Sequence, residues 1–176
     1  MTQEIYNDLK ATLAVDRSAE SRAYWAQRLI EEQVPILELL PLLDEEHPIG
    51  MRFTWIFGDI ITRDAHYLAP IVLPCFERRN DITFPGYKRS LAKMLCMVGV
   101  PEELEGLVVD ELFKWVLDPK IKVAVKVFSI DTIAQLAVKY PELKEELLLV
   151  IEDQWDKNSA AFRARAKHIR KRLDKR

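Results

Sequence analysis

The chain has 176 residues, enough for one domain with a sizeable hydrophobic core. A hydrophobic content of 49% beside 31% charged residues is typical of a globular protein and argues against a disordered one. The formal net charge is −2, glycines are scarce, and no apolar run reaches the roughly eighteen residues of a membrane span, so neither a sheet protein nor a transmembrane helix is expected.

Ten helices are predicted along the chain, and prolines mark many of their starts. The predicted ranges are 2–14, 18–33, 36–43, 48–63, 66–78, 86–98, 101–117, 119–139, 141–157 and a last helix that runs from Asn158 or Ser159 into a basic tail. Asp16 and Ser18 are expected to cap the second helix. Six of the nine prolines fall at helix starts, where their missing N–H costs nothing, and this supports the boundaries.

The longest predicted helix, 119–139, shows the pattern most clearly. Asp118 and Pro119 are typical of a helix start, because the Asp side chain can cap free N–H groups. From Val125 onward, positions 125, 129, 132 and 136 lie on one face of an α-helix. Small or apolar residues at this spacing favour close packing against neighbouring helices.

Acidic and basic residues recur along the chain, with the later steps lying between 36 and 38 residues. The acidic series is Asp16, Asp44, Asp81, Asp118 and Asp156, and the basic series is Arg22, Arg52, Lys88, Lys126 and Arg163. Self-similarity at this period predicts an array of two-helix units that bury their apolar faces against one another. A catalytic group has no reason to occur five times, so both series are interpreted as structural.

The repeated unit resembles the HEAT repeats. The resemblance lies in Leu43-Asp44 before Met51-Arg52, in Leu117-Asp118 before Val125-Lys126-x-x-Ser129, and in Phe162-Arg163-x-x-Ala166. It implies an all-α fold, a right-handed α-α superhelix (α-solenoid) of about five repeats, with 1–176 as a single domain. It also implies that the acidic and basic series bond between successive repeats as a ladder, and that the second helix of each repeat lines the concave side. Trp25 and Trp55 depart from the family pattern, which has a small residue there.

No catalytic, metal or cofactor motif stands out in the sequence. His47, His66 and His168 show none of the spacings of a metal site, and the chain has no glycine-rich phosphate loop and no Gly-x-Ser-x-Gly elbow. The four tryptophans recur in pairs at equivalent repeat positions, which favours packing roles over the stacking of nucleobases. We therefore expect no enzymatic activity, no metal and no cofactor.

The cysteines and the first residues indicate a reducing compartment. Met1–Glu4 is polar and acidic, unlike a secretory signal. Cys75 and Cys96 lie within predicted helices, so they are expected to be buried and reduced. On these grounds the protein is predicted to be cytoplasmic and not associated with a membrane.

The resemblance favours a protein-binding or scaffold module that holds a protein or peptide partner on its concave face. Candidate contact residues are polar or aromatic positions off the apolar stripes of the second helices. They are Tyr24, Arg28, Asp59, Arg63, Lys93, Asp131, Gln135 and Arg170.

The alternative is nucleic-acid binding, because the chain is more distantly similar to bacterial DNA glycosylases that repair alkylated DNA with HEAT-like repeats. Nine basic residues and one acid leave 157–176 at a charge of +8, against −10 for the preceding 156 residues. The cations that could contact phosphates are Arg163, Arg165, Lys167, Arg170, Lys171 and Arg172. The same helix has an apolar stripe of Phe162, Ala166, Ile169 and Leu173, so it could equally be a terminal cap with a polar outer face.

Overall fold

The computed structural model describes residues 2–174, and these residues contain helices and no strand. The α-helices are α1 (Thr2–Val15), α2 (Ala19–Glu31), α3 (Ile49–Asp64), α4 (Val72–Glu77), α5 (Tyr87–Val98), α6 (Glu105–Leu117), α7 (Val123–Leu136), α8 (Glu142–Asp153) and α9 (Ala160–Leu173). Three 3₁₀ helices span Ile36–Asp44, Ala65–Ile71 and Glu102–Leu104. The predicted all-α class is confirmed. No helix in this part of the chain is both long and apolar enough to span a bilayer.

The predicted count of ten helices is wrong, because residues 2–174 form nine α-helices. The predicted third helix is the 3₁₀ helix Ile36–Asp44, which contains Pro41. A proline inside an α-helix removes one hydrogen bond and clashes with the preceding turn. The chain instead forms the tighter 3₁₀ turns, as the bond from the Glu38 N–H to the Pro35 carbonyl shows.

Helix α7 begins at Val123, four residues later than the sequence predicts. Asp118 has the extended conformation that a following proline favours. Its carboxylate accepts the Lys120 N–H at 2.8 Å, and its carbonyl accepts the Ile121 N–H at 3.2 Å. Asp118 and Pro119 therefore form a turn between α6 and α7 and do not start the helix. Of the two predicted caps of α2, Ser18 is confirmed, since its hydroxyl accepts the Ser21 N–H at 3.1 Å. Asp16 instead accepts the Ser18 N–H at 2.8 Å, just before the helix begins.

The structure contains two compact units, Met1–Val98 and Gly99–Arg176. In the N-terminal unit, α3 is central and contacts α1, α2, α5 and the two longer 3₁₀ helices. Its inner face is aromatic and aliphatic, and Phe53 and Phe57 pack edge to face at 5.1 Å. Gly50 allows α3 to approach the preceding 3₁₀ helix, because a Cβ there would lie 2.7 Å from the Leu43 carbonyl oxygen.

In the C-terminal unit, α7 is central and contacts α6, α8 and α9. Val125, Ser129 and Thr132 on its predicted inner face are buried. The hydroxyls of Ser129 and Thr132 donate to carbonyls one turn earlier in the same helix, at 2.9 Å each. The helix can therefore bury small polar side chains without leaving their hydroxyls unbonded. Whether the two units form a single folding domain, as expected from the sequence, stays a prediction.

Candidate binding groove of the N-terminal unit

Helices α2, α3 and α5 are the second helices of the first three repeats, and α3 packs between the other two. A groove of about 270 Å³ opens along them. Its lining residues are Arg22, Thr54, Trp55, Gly58, Ile61, Gly86, Arg89, Ser90 and Lys93. The Ser90 hydroxyl donates to the Thr54 carbonyl at 3.3 Å and fixes the two walls against each other. We call this surface the N-terminal groove.

Three cations line the N-terminal groove, and none of its lining residues is acidic. Arg22 Nε pairs with Asp59 Oδ2 at 3.2 Å, and this ion pair restrains the Arg22 guanidinium. Lys93 Nζ has a long bond of 3.4 Å to the Gly58 carbonyl. Arg89 is exposed. The groove therefore presents positive charge with spare N–H donors, which is a surface suited to an anion.

The apolar part of the groove comes from α3. Trp55 is half-buried and Ile61 is buried, so the groove combines an aromatic wall with an aliphatic one. Gly58 has no side chain to cover the α3 backbone beside Lys93. A Cβ added there would lie 3.7 Å from Lys93 Nζ. A partner side chain can therefore bury its hydrocarbon portion against Trp55 while its charge faces the cations.

The structure distributes the eight predicted contact residues over several surfaces. Among the five in the N-terminal unit, Lys93 lines the groove and Asp59 supports it through Arg22. Arg63 is exposed and donates to the Asp59 carbonyl at 3.1 Å. Tyr24 and Arg28 lie on a separate, open depression of about 630 Å³ between α1 and α2, beside the acidic residues Asp8, Asp16 and Glu20.

The other three predicted contact residues lie in the C-terminal unit. Asp131 is only 6% exposed, and its Oδ2 is 3.3 Å from Arg165 Nε. Burial raises the pKa of this carboxyl, while Arg165, Arg172 and His168 act to lower it. Asp131 therefore packs against α9 and does not present its charge to a partner. Gln135 is exposed, and the Arg170 guanidinium lies over the Trp155 ring at 5.3 Å.

Four members of the basic series make bonds to partners outside the acidic series. Arg22 pairs with Asp59, and Arg52 Nη1 donates to the Leu13 and Ala14 carbonyls at 2.8 and 3.0 Å. These are carbonyls at the end of α1, which have no partner within their own helix. Lys126 Nζ contacts Gln154 Oε1, and Arg163 Nη1 donates to the Asn158 carbonyl. Lys88 is half-buried on α5.

The acidic series is used mostly in turns. Asp16 accepts the Ser18 N–H, and Asp118 accepts the Lys120 N–H. Asp44 receives both Nη1 bonds of Arg78, at 3.0 and 3.1 Å. Asp81 and Asp156 are exposed. Apart from the Arg22–Asp59 pair, which joins α2 to α3, these bonds hold turns and helix ends. The acid-to-base ladder that the resemblance implies stays a prediction.

Helix α9 has the predicted apolar stripe, since Phe162, Ala166, Ile169 and Leu173 are all buried. Its outer face exposes Arg165, Lys167 and Lys171, and Lys167 Nζ also lies 5.9 Å from the Trp155 ring. Part of this positive charge is already engaged, by Asp131 through Arg165 and by Glu152 through Arg170. Residues 2–174 contain no cluster of three or more side chains that could hold a metal ion.

Arg89, Ser90 and Trp55 were not among the predicted contact residues. The repeat spacing could have indicated two of the facing pairs, because Thr54 and Gly58 lie about one repeat before Ser90 and Lys93. Aligning the second helices by repeat would have placed these pairs side by side.

Comparison with known proteins agrees with the repeat pattern. No curated protein and no solved structure matched the chain. The family model of the HEAT repeat domain matches residues 10–173, nearly the whole length. The chain therefore belongs to the HEAT repeat family.

Proposed function

We propose that this protein is a non-enzymatic, cytoplasmic binding module whose N-terminal groove holds an acidic segment of a protein partner. The observation that carries the proposal is the set of three cations that line one groove beside Trp55, with no acidic lining residue. HEAT repeat domains are helical scaffolds that commonly mediate protein interactions, which fits this use of the surface.

The chemistry of the groove favours carboxylates attached to an apolar chain. A hydrogen bond that involves a charged group contributes roughly 1.5–3 kcal/mol when it is shielded from water, against about 0–1 kcal/mol for an exposed ion pair. Lys93 is half-buried and Arg22 is held by Asp59, so both are partly shielded. A glutamate side chain can reach such a cation while its methylene groups pack on Trp55.

The test is fluorescence anisotropy with a short labelled peptide rich in glutamate and leucine, compared with a peptide in which lysine replaces glutamate. We expect the acidic peptide to bind and the basic one to fail. The double variant Arg89→Glu, Lys93→Glu should weaken binding by about tenfold or more, which corresponds to ~1.4 kcal/mol.

The matched control compares single variants, Lys93→Glu in the groove and Arg17→Glu at an exposed position of the same unit outside it. Arg17→Glu should change the affinity only slightly at moderate salt, where exposed charges are screened. Equal losses in the two single variants would show that only net charge matters, and the groove assignment would be withdrawn.

The second candidate function is nucleic-acid binding through α9, which is favoured by its exposed Arg165, Lys167 and Lys171. Anisotropy of labelled DNA and RNA with the variant Lys167→Glu, Lys171→Glu tests it without removing the buried stripe of the helix. Binding that falls steeply with salt and disappears in this variant would support it. An assay for release of alkylated bases tests whether such binding includes the repair activity of the similar glycosylases.

A further inference from the structure

A second cavity lies in the C-terminal unit, where the turn between α6 and α7 meets the turn between α8 and α9. It has a volume of about 350 Å³. Leu117, Pro119 and Ile121 form an apolar wall, and the polar side consists of Lys126, Gln154, Lys157 and Asn158. A volume of this order lies at the lower end of the range for small-molecule sites, roughly 300–1,000 Å³.

Lys126 carries a buried charge that the protein does not balance. The residue is 3% exposed, and its Nζ has one long hydrogen bond of 3.4 Å, to Gln154 Oε1. No ion pair within residues 2–174 includes Lys126. An ammonium group has three N–H donors, and burying one without a counter-ion is unfavourable.

The surrounding groups do not supply the missing partner. Gln154 Oε1 is neutral and is shared with Asn158 Nδ2 at 3.1 Å. Lys157 is paired with Asp153 at 2.7 Å, and its charge repels Lys126. Asp118 attracts Lys126 only from beyond ion-pair distance. Burial, the largest effect, lowers the pKa of Lys126, which means that its surroundings disfavour the charged form relative to water.

We propose that this cavity binds a small aliphatic carboxylate, whose oxygens accept from Lys126 Nζ and whose hydrocarbon chain packs on Leu117, Pro119 and Ile121. A single negative charge balances the single buried cation. The second lining cation, Lys157, is already paired with Asp153 at 2.7 Å, so the second charge of a phosphate dianion would lack a free partner. The apolar wall supplies the remaining affinity through burial of a few methylene groups of the ligand.

The test is isothermal titration calorimetry of the whole chain with pentanoate, compared with pentanamide and inorganic phosphate. We expect pentanoate to bind at least about tenfold more tightly than either of the others, a difference of ~1.4 kcal/mol.

Two variants decide whether Lys126 is responsible. Lys126→Met keeps the length and packing of the side chain and should abolish pentanoate binding. Lys122→Met, at an exposed lysine in the same turn, should leave pentanoate binding unchanged. Gln154→Glu places a carboxylate about 3.4 Å from Lys126 Nζ, so it should raise the melting temperature and also abolish pentanoate binding.

Gln154→Glu keeps the proposal testable if Lys126→Met fails to fold. The proposal is overturned if wild-type protein binds no pentanoate up to about 50 mM, where even a weak millimolar site would be filled. It is also overturned if pentanamide or phosphate binds as tightly as pentanoate. Binding that persists in the folded variants would exclude Lys126 as the partner.

Discussion

The interiors of the two units differ in polarity. Within residues 2–174, the N-terminal unit buries one polar side chain, Thr54, whereas the C-terminal unit buries six, namely Glu105, Lys126, Ser129, Asp131, Thr132 and Gln154. The central helices show the contrast directly. Helix α3 buries a pair of phenylalanines, and at the same place in its unit α7 buries a lysine and an aspartate.

The difference shows that one repeat family can build its core in two ways. Apolar packing is insensitive to pH and salt, and it depends on how well side chains fill space. Buried charges depend on their partners, and losing a partner leaves an uncompensated charge. We therefore expect the N-terminal unit to respond mainly to changes of shape and the C-terminal unit to changes of charge.

The largest expected effect is loss of packing in the N-terminal unit. Phe53 has no exposed surface and packs against Phe57. Phe53→Ala should lower the free energy of unfolding by about 3–5 kcal/mol, because it removes apolar burial and leaves a cavity. Urea denaturation measures the change. Val15→Ala, at a residue 82% exposed, is the control and should stay within about 0.5 kcal/mol of wild type. If Phe53→Ala lowered the free energy of unfolding by less than ~1 kcal/mol, this would contradict the view that close apolar packing stabilises the N-terminal unit.

A methyl group added to a glycine should have opposite effects in the two units. Gly50→Ala puts a Cβ 2.7 Å from the Leu43 carbonyl oxygen, a backbone atom that cannot rotate away, and should destabilise by about 1–3 kcal/mol. Gly106→Ala in α6 meets nothing within 4 Å and should stabilise by about 0.5–1 kcal/mol. Thermal unfolding of both variants measures the two signs. A stable Gly50→Ala protein would show that α3 can move away from the 3₁₀ helix.

The smallest effects are expected from two carboxylates with opposite pKa shifts. Burial raises the pKa of Asp131 above its ordinary 3.8, so the folded state loses stability as pH rises through that pKa. Asp131→Asn should therefore raise the melting temperature near pH 7, and the gain should vanish below pH 3.8. Glu45 is the counterpart, because Lys10 and Tyr6 lower its pKa below 4.5.

Glu45→Gln should lower the melting temperature near pH 7, and this deficit should disappear as pH falls through the lowered pKa of Glu45. Melting curves of both variants and wild type across the acid range measure the two trends. If Asp131→Asn and Glu45→Gln shift the melting temperature in the same direction at neutral pH, the opposite contributions expected of these two carboxylates are contradicted.

Local patterns in the sequence were sufficient for most of the fold. The apolar spacing of α9, the Ser18 cap and the proline positions act within one helix or turn, so they predict the helical segments directly. The start of α7 was misplaced because Asp-Pro fits both a helix start and a turn. The steric preference of the residue before proline decided for the turn.

The groove and the buried charges could not be predicted in the same way. Asp131 lies outside the predicted stripe of α7, and it is buried because α9, about thirty residues later, covers that side. The walls of the N-terminal groove come from α3 and α5, and aligning the repeats pairs their residues but does not show that the two helices leave a groove between them. Arg52 shows the same limit, since it bonds backbone carbonyls that carry no sequence signal.

Both cysteines of the chain lie in the N-terminal unit, and this makes them a built-in reporter of its opening. Cys75 and Cys96 are buried, and burial raises the pKa of the Cys75 thiol to about 12. Only the thiolate reacts with alkylating reagents, so the native thiol of Cys75 should be almost inert near neutral pH. The rate of alkylation in native buffer, followed by mass spectrometry, would then give the free energy of opening of the N-terminal unit. The C-terminal unit has no cysteine, so its opening does not contribute to this rate.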